Sequence, residues 1–149
     1  MAGPVRGEMP VTTFLKHYLA VALALVGLDI AWLAATMTRF YDGQLGALAR
    51  RGPDGRLAGQ IAPGLMVYLL LPLGITLFVL PAVLKSRREL WRGAALGLVV
   101  YGTYDFTNLS LLKGWPVAMT LVDIAWGMVL CTLTAWIAAS ISTRGRAAR

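Results

Sequence analysis

Apolar residues fall into four long runs, at residues 14–37, 61–84, 93–112 and 116–141, and charged residues gather in the gaps between them. Each run holds 20–26 residues. A helix needs about 20 to cross a hydrocarbon core about 30 Å thick. The pattern predicts an all-α integral membrane protein, a bundle of four transmembrane helices spanning 14–141. Residues 1–13 are polar and irregular and read as a disordered cytoplasmic N-terminus. Residues 142–149 read as a basic cytoplasmic tail. The first run competes with a signal peptide, but it is longer than the apolar core of about 7–15 residues such a leader carries, and it contains Asp29.

Punctuation refines the picture. In the second run Pro63, Pro72 and Pro81 are spaced nine apart, a spacing that predicts kinks tolerated where neighbours satisfy the freed carbonyls. The third run opens with Gly93-x-x-x-Gly97, small residues that let helix backbones approach closely. Pro116 suits the first position of the fourth helix. The only sizeable loop, 38–60, carries a turn signal at Gly52-Pro53-Asp54-Gly55. Before it, Phe40, Leu45 and Leu48 fall near helical spacing, as in a short interfacial helix.

Composition sharpens this. The 149 residues are 58% hydrophobic and 14% charged, against about 25% charged in a soluble domain. Mean hydropathy is +0.67. A net charge of +7 and a pI near 10.2 would suit nucleic acid. The basic residues, however, sit where topology signals sit, so no nucleic-acid partner is expected and the partner is the lipid bilayer. Nine of them (Arg6, Lys16, Lys85, Arg87, Arg88, Arg92, Arg144, Arg146, Arg149) share one side of a four-span chain, and five (Arg39, Arg50, Arg51, Arg56, Lys113) the other. That asymmetry places both termini in the cytoplasm. The single cysteine, Cys131, allows no internal disulfide and reads as a packed small hydrophobe.

Three carboxylates then stand out. Asp29, Asp105 and Asp123 lie inside apolar runs, each about 10–12 Å from the outer end of its helix at about 1.5 Å per residue, which puts them at a similar depth. An aspartate at mid-membrane costs about 2.5–3.5 kcal/mol on insertion scales, so these acids should face inward. Asp105 shares a helix face with Tyr101 and Asn108, and Trp32 and Trp126 each follow an aspartate by three residues. Asp29, Asp105, Asp123, Asn108, Tyr101, Trp32 and Trp126 are therefore candidates for a polar pocket, or for a structural layer that locks packing. Acids crowded into an apolar layer make at least one a candidate proton carrier. Arg39 and Lys113 flank the same side, where each could neutralise an acid or act as an interfacial cation. Trp91, Trp115 and Tyr41 fall near the expected membrane edges, as aromatic belts do. His17 is interfacial. No hydrolytic triad, phosphate loop or metal spacing is present, and no cofactor is expected.

Asp29-Ile30-Ala31-Trp32 recurs as Asp123-Ile124-Ala125-Trp126, relating the first helix to the fourth in opposite directions, as inverted transporter repeats do. The stretches LDIAWLA with FYDGQLGAL, YGTYDFTNLSLLKGWP and TLVDIAWG, within roughly residues 14–135, resemble the small bacterial membrane proteins catalogued as domain of unknown function 2177. The resemblance implies a four-helix inner-membrane protein and supplies no catalytic residues. Three functions follow from the acids: a proton-linked carrier or permease of small solutes, a lipid-modifying enzyme or accessory protein, or a non-catalytic subunit with a structural polar layer. A carrier this short would need to form a homodimer or join a larger complex to enclose a pathway.

Overall fold

The computed structural model describes residues 9–147, which are helical apart from their connections. Helix α1 spans Val11–Thr36 and runs into a wide π turn, Met37–Tyr41, then the four-residue α2, Asp42–Leu45. Helix α3, Ile61–Gly74, continues through a second π turn, Ile75–Val79, into α4, Leu80–Lys85. A 3-10 turn, Arg87–Leu90, leads to α5, Trp91–Leu111, and a tight corner leads to α6, Val117–Ala147.

Some boundaries differ from the pattern. Helix α1 starts at Val11, inside the segment expected to be irregular, because Pro10 precedes it and its carbonyl accepts from the amides of Thr13 and Phe14 at 2.9 and 3.0 Å. Helix α6 runs past residue 141 into the basic stretch. Residues 1–8 of the expected disordered terminus and residues 148–149 of the tail lie outside the described residues. The short helix expected in the first loop is reduced to α2 and a following 3-10 turn, Gly46–Leu48. Beyond it Arg51 ties the loop together, pairing with Asp42 at 2.8 Å and donating to the carbonyls of Gly55 and Gly46.

Three helical segments, Val11–Thr36, Ile61–Lys85 and Val117–Thr143, are long and apolar enough to cross a membrane. Helix α5 matches them in length at 21 residues. It falls short in apolarity because its C-terminal half carries Tyr101, Thr103, Tyr104, Asp105, Thr107 and Asn108.

Proline shapes the second long segment. Pro72 lies inside α3, and the backbone downstream widens into a π turn that delivers Pro81 to the first turn of α4. Thr76 donates its hydroxyl to the Pro72 carbonyl at 2.7 Å.

Helices α5 and α6 run antiparallel in the most extensive contact of the fold. The Gly93-x-x-x-Gly97 pattern is the reason. A Cβ on Gly93 would come within 2.7 Å of Thr132 Cα, and one on Gly97 would overlap the Gly127 carbonyl. In the corner between the helices Gly114 has φ +85°, a left-handed conformation that costs glycine nothing. At the other end Arg87 fastens α6 by donating to the Trp136 carbonyl at 3.0 Å and to Ser140 Oγ at 3.2 Å.

The buried apolar core joins Val21 and Leu25 of α1, Leu71 through Val83 of the kinked segment, and Leu130, Cys131, Ala135, Ala138 and Ala139 of α6. It occupies one half of the α1–α6 interface. Leu19, Leu23, Leu70, Phe78 and Leu121 point outward, as suits a hydrocarbon surround.

Candidate functional site: a crossed aspartate–tryptophan network beside a cavity

The other half of the α1–α6 interface is polar. The two Asp-Ile-Ala-Trp segments face each other there, and the indoles of Trp32 and Trp126 stack, centroids 4.4 Å apart and rings 8° from parallel. Trp126 Nε1 donates to Asp29 Oδ1 at 3.0 Å. Trp32 Nε1 donates to the hydroxyl of Tyr41 at 3.1 Å, and that hydroxyl donates to Asp123 Oδ1. Each aspartate is thus served by the indole of the other segment, once directly and once through a tyrosine. Helical spacing had suggested that each Trp would attend its own aspartate; the structure exchanges the partners.

Two tyrosines complete the network, and the candidate set did not contain them. Tyr68 of α3 donates to Asp29 Oδ2 at 2.7 Å. The signal was present in the sequence, since Tyr68 is the one hydroxyl-bearing aromatic in the run 61–84, and a buried tyrosine hydroxyl needs a partner. Tyr41 was expected at the membrane edge. It is instead buried, with its hydroxyl between Trp32 and Asp123. In a continuous α-helix, nine residues would carry it to the face opposite Trp32 and about 13 Å further on. The π turn Met37–Tyr41 changes that rotation, and side chains lean toward the helix N-terminus. Burial and the bond to Asp123 push the Tyr41 phenol well above its ordinary range, so it remains a donor.

Asp29 is saturated by these donors, whereas Asp123 has one oxygen, Oδ2, with no bond among the described residues. Asp123 opens onto a cavity of about 290 Å³ that it shares with Asp29. Aromatic residues make up half of its lining: Trp32, Tyr41, Tyr101, Tyr104, Trp115 and Trp126. Trp115 was also expected at the membrane edge. It lines this cavity, meets Tyr104 edge-on at 6.0 Å and donates to Thr120 Oγ1 at 3.1 Å. Tyr101 presses its ring onto Gly127, where any side chain would collide with it.

The remaining candidates separate from this group. Asp105 is fully buried, and neither carboxyl oxygen has a hydrogen-bond partner; the nearby Trp115 indole is spent on Thr120. Its expected helix neighbours Tyr101 and Asn108 do not bond it, and the Asn108 amide lies beside the Tyr104 hydroxyl instead. Arg39 and Lys113 are exposed, and the ion pairs among the described residues involve neither. The cavity therefore holds acid without a compensating cation among the described residues.

The family described as a predicted membrane protein family, DUF2177, matches residues 14–140. No curated protein and no solved structure matches the chain.

Proposed function

Because the chain belongs to the DUF2177 family of predicted membrane proteins, we propose that the cavity is the binding site of a membrane carrier for small cationic solutes, with Asp123 exchanging the solute for a proton. The observation that carries this reading is the open oxygen of Asp123 in an aromatic-walled cavity that no cation among the described residues neutralises. A desolvated carboxylate is costly unless it is paired or protonated. A cation over the faces of Trp and Tyr gains about 0.5–2 kcal/mol more when desolvated. Asp29, held by Trp126 and Tyr68, keeps the two helices in register and adds negative charge.

In this reading α5 is the fourth crossing, with Tyr101 and Tyr104 of its polar half on the cavity, and both termini face the cytoplasm of a bacterial inner membrane, as the nine-to-five split of basic residues favours. Topology reporters fused at residue 86 and at the C-terminus should both read cytoplasmic.

The test is uptake of tetramethylammonium into proteoliposomes holding a trapped pH dye. Wild type should take it up with release of internal protons, and Asp123→Asn should lose both signals while keeping its thermal stability. Uptake no faster than in empty liposomes would sink the carrier reading.

A second reading has its own observation. Bonds from Trp126, Tyr68 and Tyr41 occupy all but one of the four carboxylate oxygens of Asp29 and Asp123, and the indoles stack beside them, as a structural layer in a non-catalytic subunit would. It requires Asp123→Asn to lower stability, with no cation response in wild type.

A further inference from the structure

A second space adjoins the cavity. It measures about 420 Å³ and lies between α3 and α5, walled by Val67, Leu70 and Gly74 on one side and Leu96 and Val100 on the other. Leu71, Tyr101 and Tyr104 complete its wall, and the two tyrosines also line the polar cavity. Val67, Leu70 and Val100 are exposed, so the groove opens sideways, and Val67, Leu70 and Gly74 belong to a segment apolar enough to span the membrane. One pair of tyrosines therefore divides an acidic, aromatic chamber from a hydrocarbon-lined slot that opens onto the bilayer.

We propose that the two spaces take one ligand, a single-chain cationic amphiphile, with its ammonium head against Asp123 and its alkyl chain in the groove. This rests on the reading of the cavity as a cation site and adds the substrate class and a lateral route of entry. Charge selects the occupant. A zwitterionic or anionic lipid would bring phosphate oxygens against two carboxylates, whereas an alkylammonium brings the missing positive charge. Size agrees, since the two spaces together fall in the range of about 300–1,000 Å³ typical of small-molecule sites. The wall agrees as well, because tyrosine offers a ring face to a cation on one side and an apolar body to a chain on the other.

The groove can be filled without touching the acids. A Cβ on Gly74 would meet Leu96 Cδ2 at 3.8 Å, an ordinary contact, so Gly74→Leu should place its side chain in the slot. Val100→Trp fills it from the exposed side of α5 and serves if Gly74→Leu does not fold. The experiment measures binding of tetramethylammonium and dodecyltrimethylammonium to the purified protein in a non-ionic detergent, by quenching of tryptophan fluorescence. Partitioning into micelles affects all variants alike, so the readout is wild type against variant. The filled variants should bind tetramethylammonium as wild type does and lose about tenfold in affinity for the dodecyl compound, since a buried methylene contributes strongly to chain binding.

Equal dodecyl binding by wild type and both filled variants would overturn the groove while leaving the cation site standing. Failure of wild type to bind either compound would remove the cation site itself. A groove that instead holds a second copy of the chain would show as a dimer converted to monomer by Gly74→Leu in native mass spectrometry, with no change in chain preference, and that too would overturn the proposal.

Discussion

Helices α1 and α6 meet twice, in two different ways. In one half, Val21 and Leu25 pack against Leu130, Cys131 and Ala135, all buried, with no polar side chain of α1 between them. In the other half, Asp29 and Trp32 meet Asp123 and Trp126 through directed bonds, and a cavity remains. Within a bilayer the first half gains little from leaving lipid, because lipid tails are as apolar as leucine; it holds by close fit. The second half holds by hydrogen bonds, which fix register but leave space unfilled. One interface thus joins a part that tolerates no void to a part built around one.

The comparison can be broken most severely where fit is tightest. Gly97→Leu would drive a side chain into the Gly127 backbone and separate α5 from α6. A loss beyond about 4 kcal/mol is expected, seen as failure to reach a folded state in a thermal-shift or limited-proteolysis assay. Next is Leu130→Ala, at a fully buried position. It should cost about 2–5 kcal/mol by leaving a cavity, and the loss should be the same at pH 5 and pH 8.

The polar half should respond less in stability and more in binding. Asp29→Ala strands the donors of Trp126 and Tyr68, and denaturant titration should show a loss of about 1–3 kcal/mol. Tyr41→Phe removes only the bridge between Trp32 and Asp123. Its cost should be about 1 kcal/mol or less, as for other hydrogen bonds between membrane helices. Freeing the second oxygen of Asp123, it should also tighten tetramethylammonium binding in a fluorescence titration. Smallest is Arg51→Ala in the first loop, where a part-exposed pair with Asp42 contributes within about 1 kcal/mol. Melting should barely change, while proteolysis between residues 46 and 57 should accelerate.

Legibility in the sequence follows the same division. Run length and the Gly93-x-x-x-Gly97 spacing could be read, because they are local properties of a helix; the spacing allowed a close approach without naming Thr132 and Gly127 as its partners. The polar half could be read only as an inventory. Asp29, Trp32, Asp123 and Trp126 were visible as unusual residues in apolar runs, but spacing along one helix says nothing about which indole crosses to which acid. Tyr41 was hidden by the π turn, which alters the rotation that any helical count assumes. Asp105 shows the converse: similar depth suggested a shared layer, yet depth does not fix direction around the helix axis, and its carboxyl is buried without joining the network. Helix α5 was counted with the others by length, and the polar residues of its C-terminal half set it apart in composition.

Cys131 is the chain's only cysteine and is fully buried. Its side chain packs into the apolar core shared by α1, the kinked second segment and α6. The chain therefore carries a built-in chemical clock. While that core is closed the thiol is out of reach of a membrane-permeable maleimide, and each excursion that opens it exposes the thiol. The alkylation rate of the unaltered protein, followed by intact mass, counts those excursions directly, and its change on adding a ligand would tell whether occupancy of the cavity slows or speeds them.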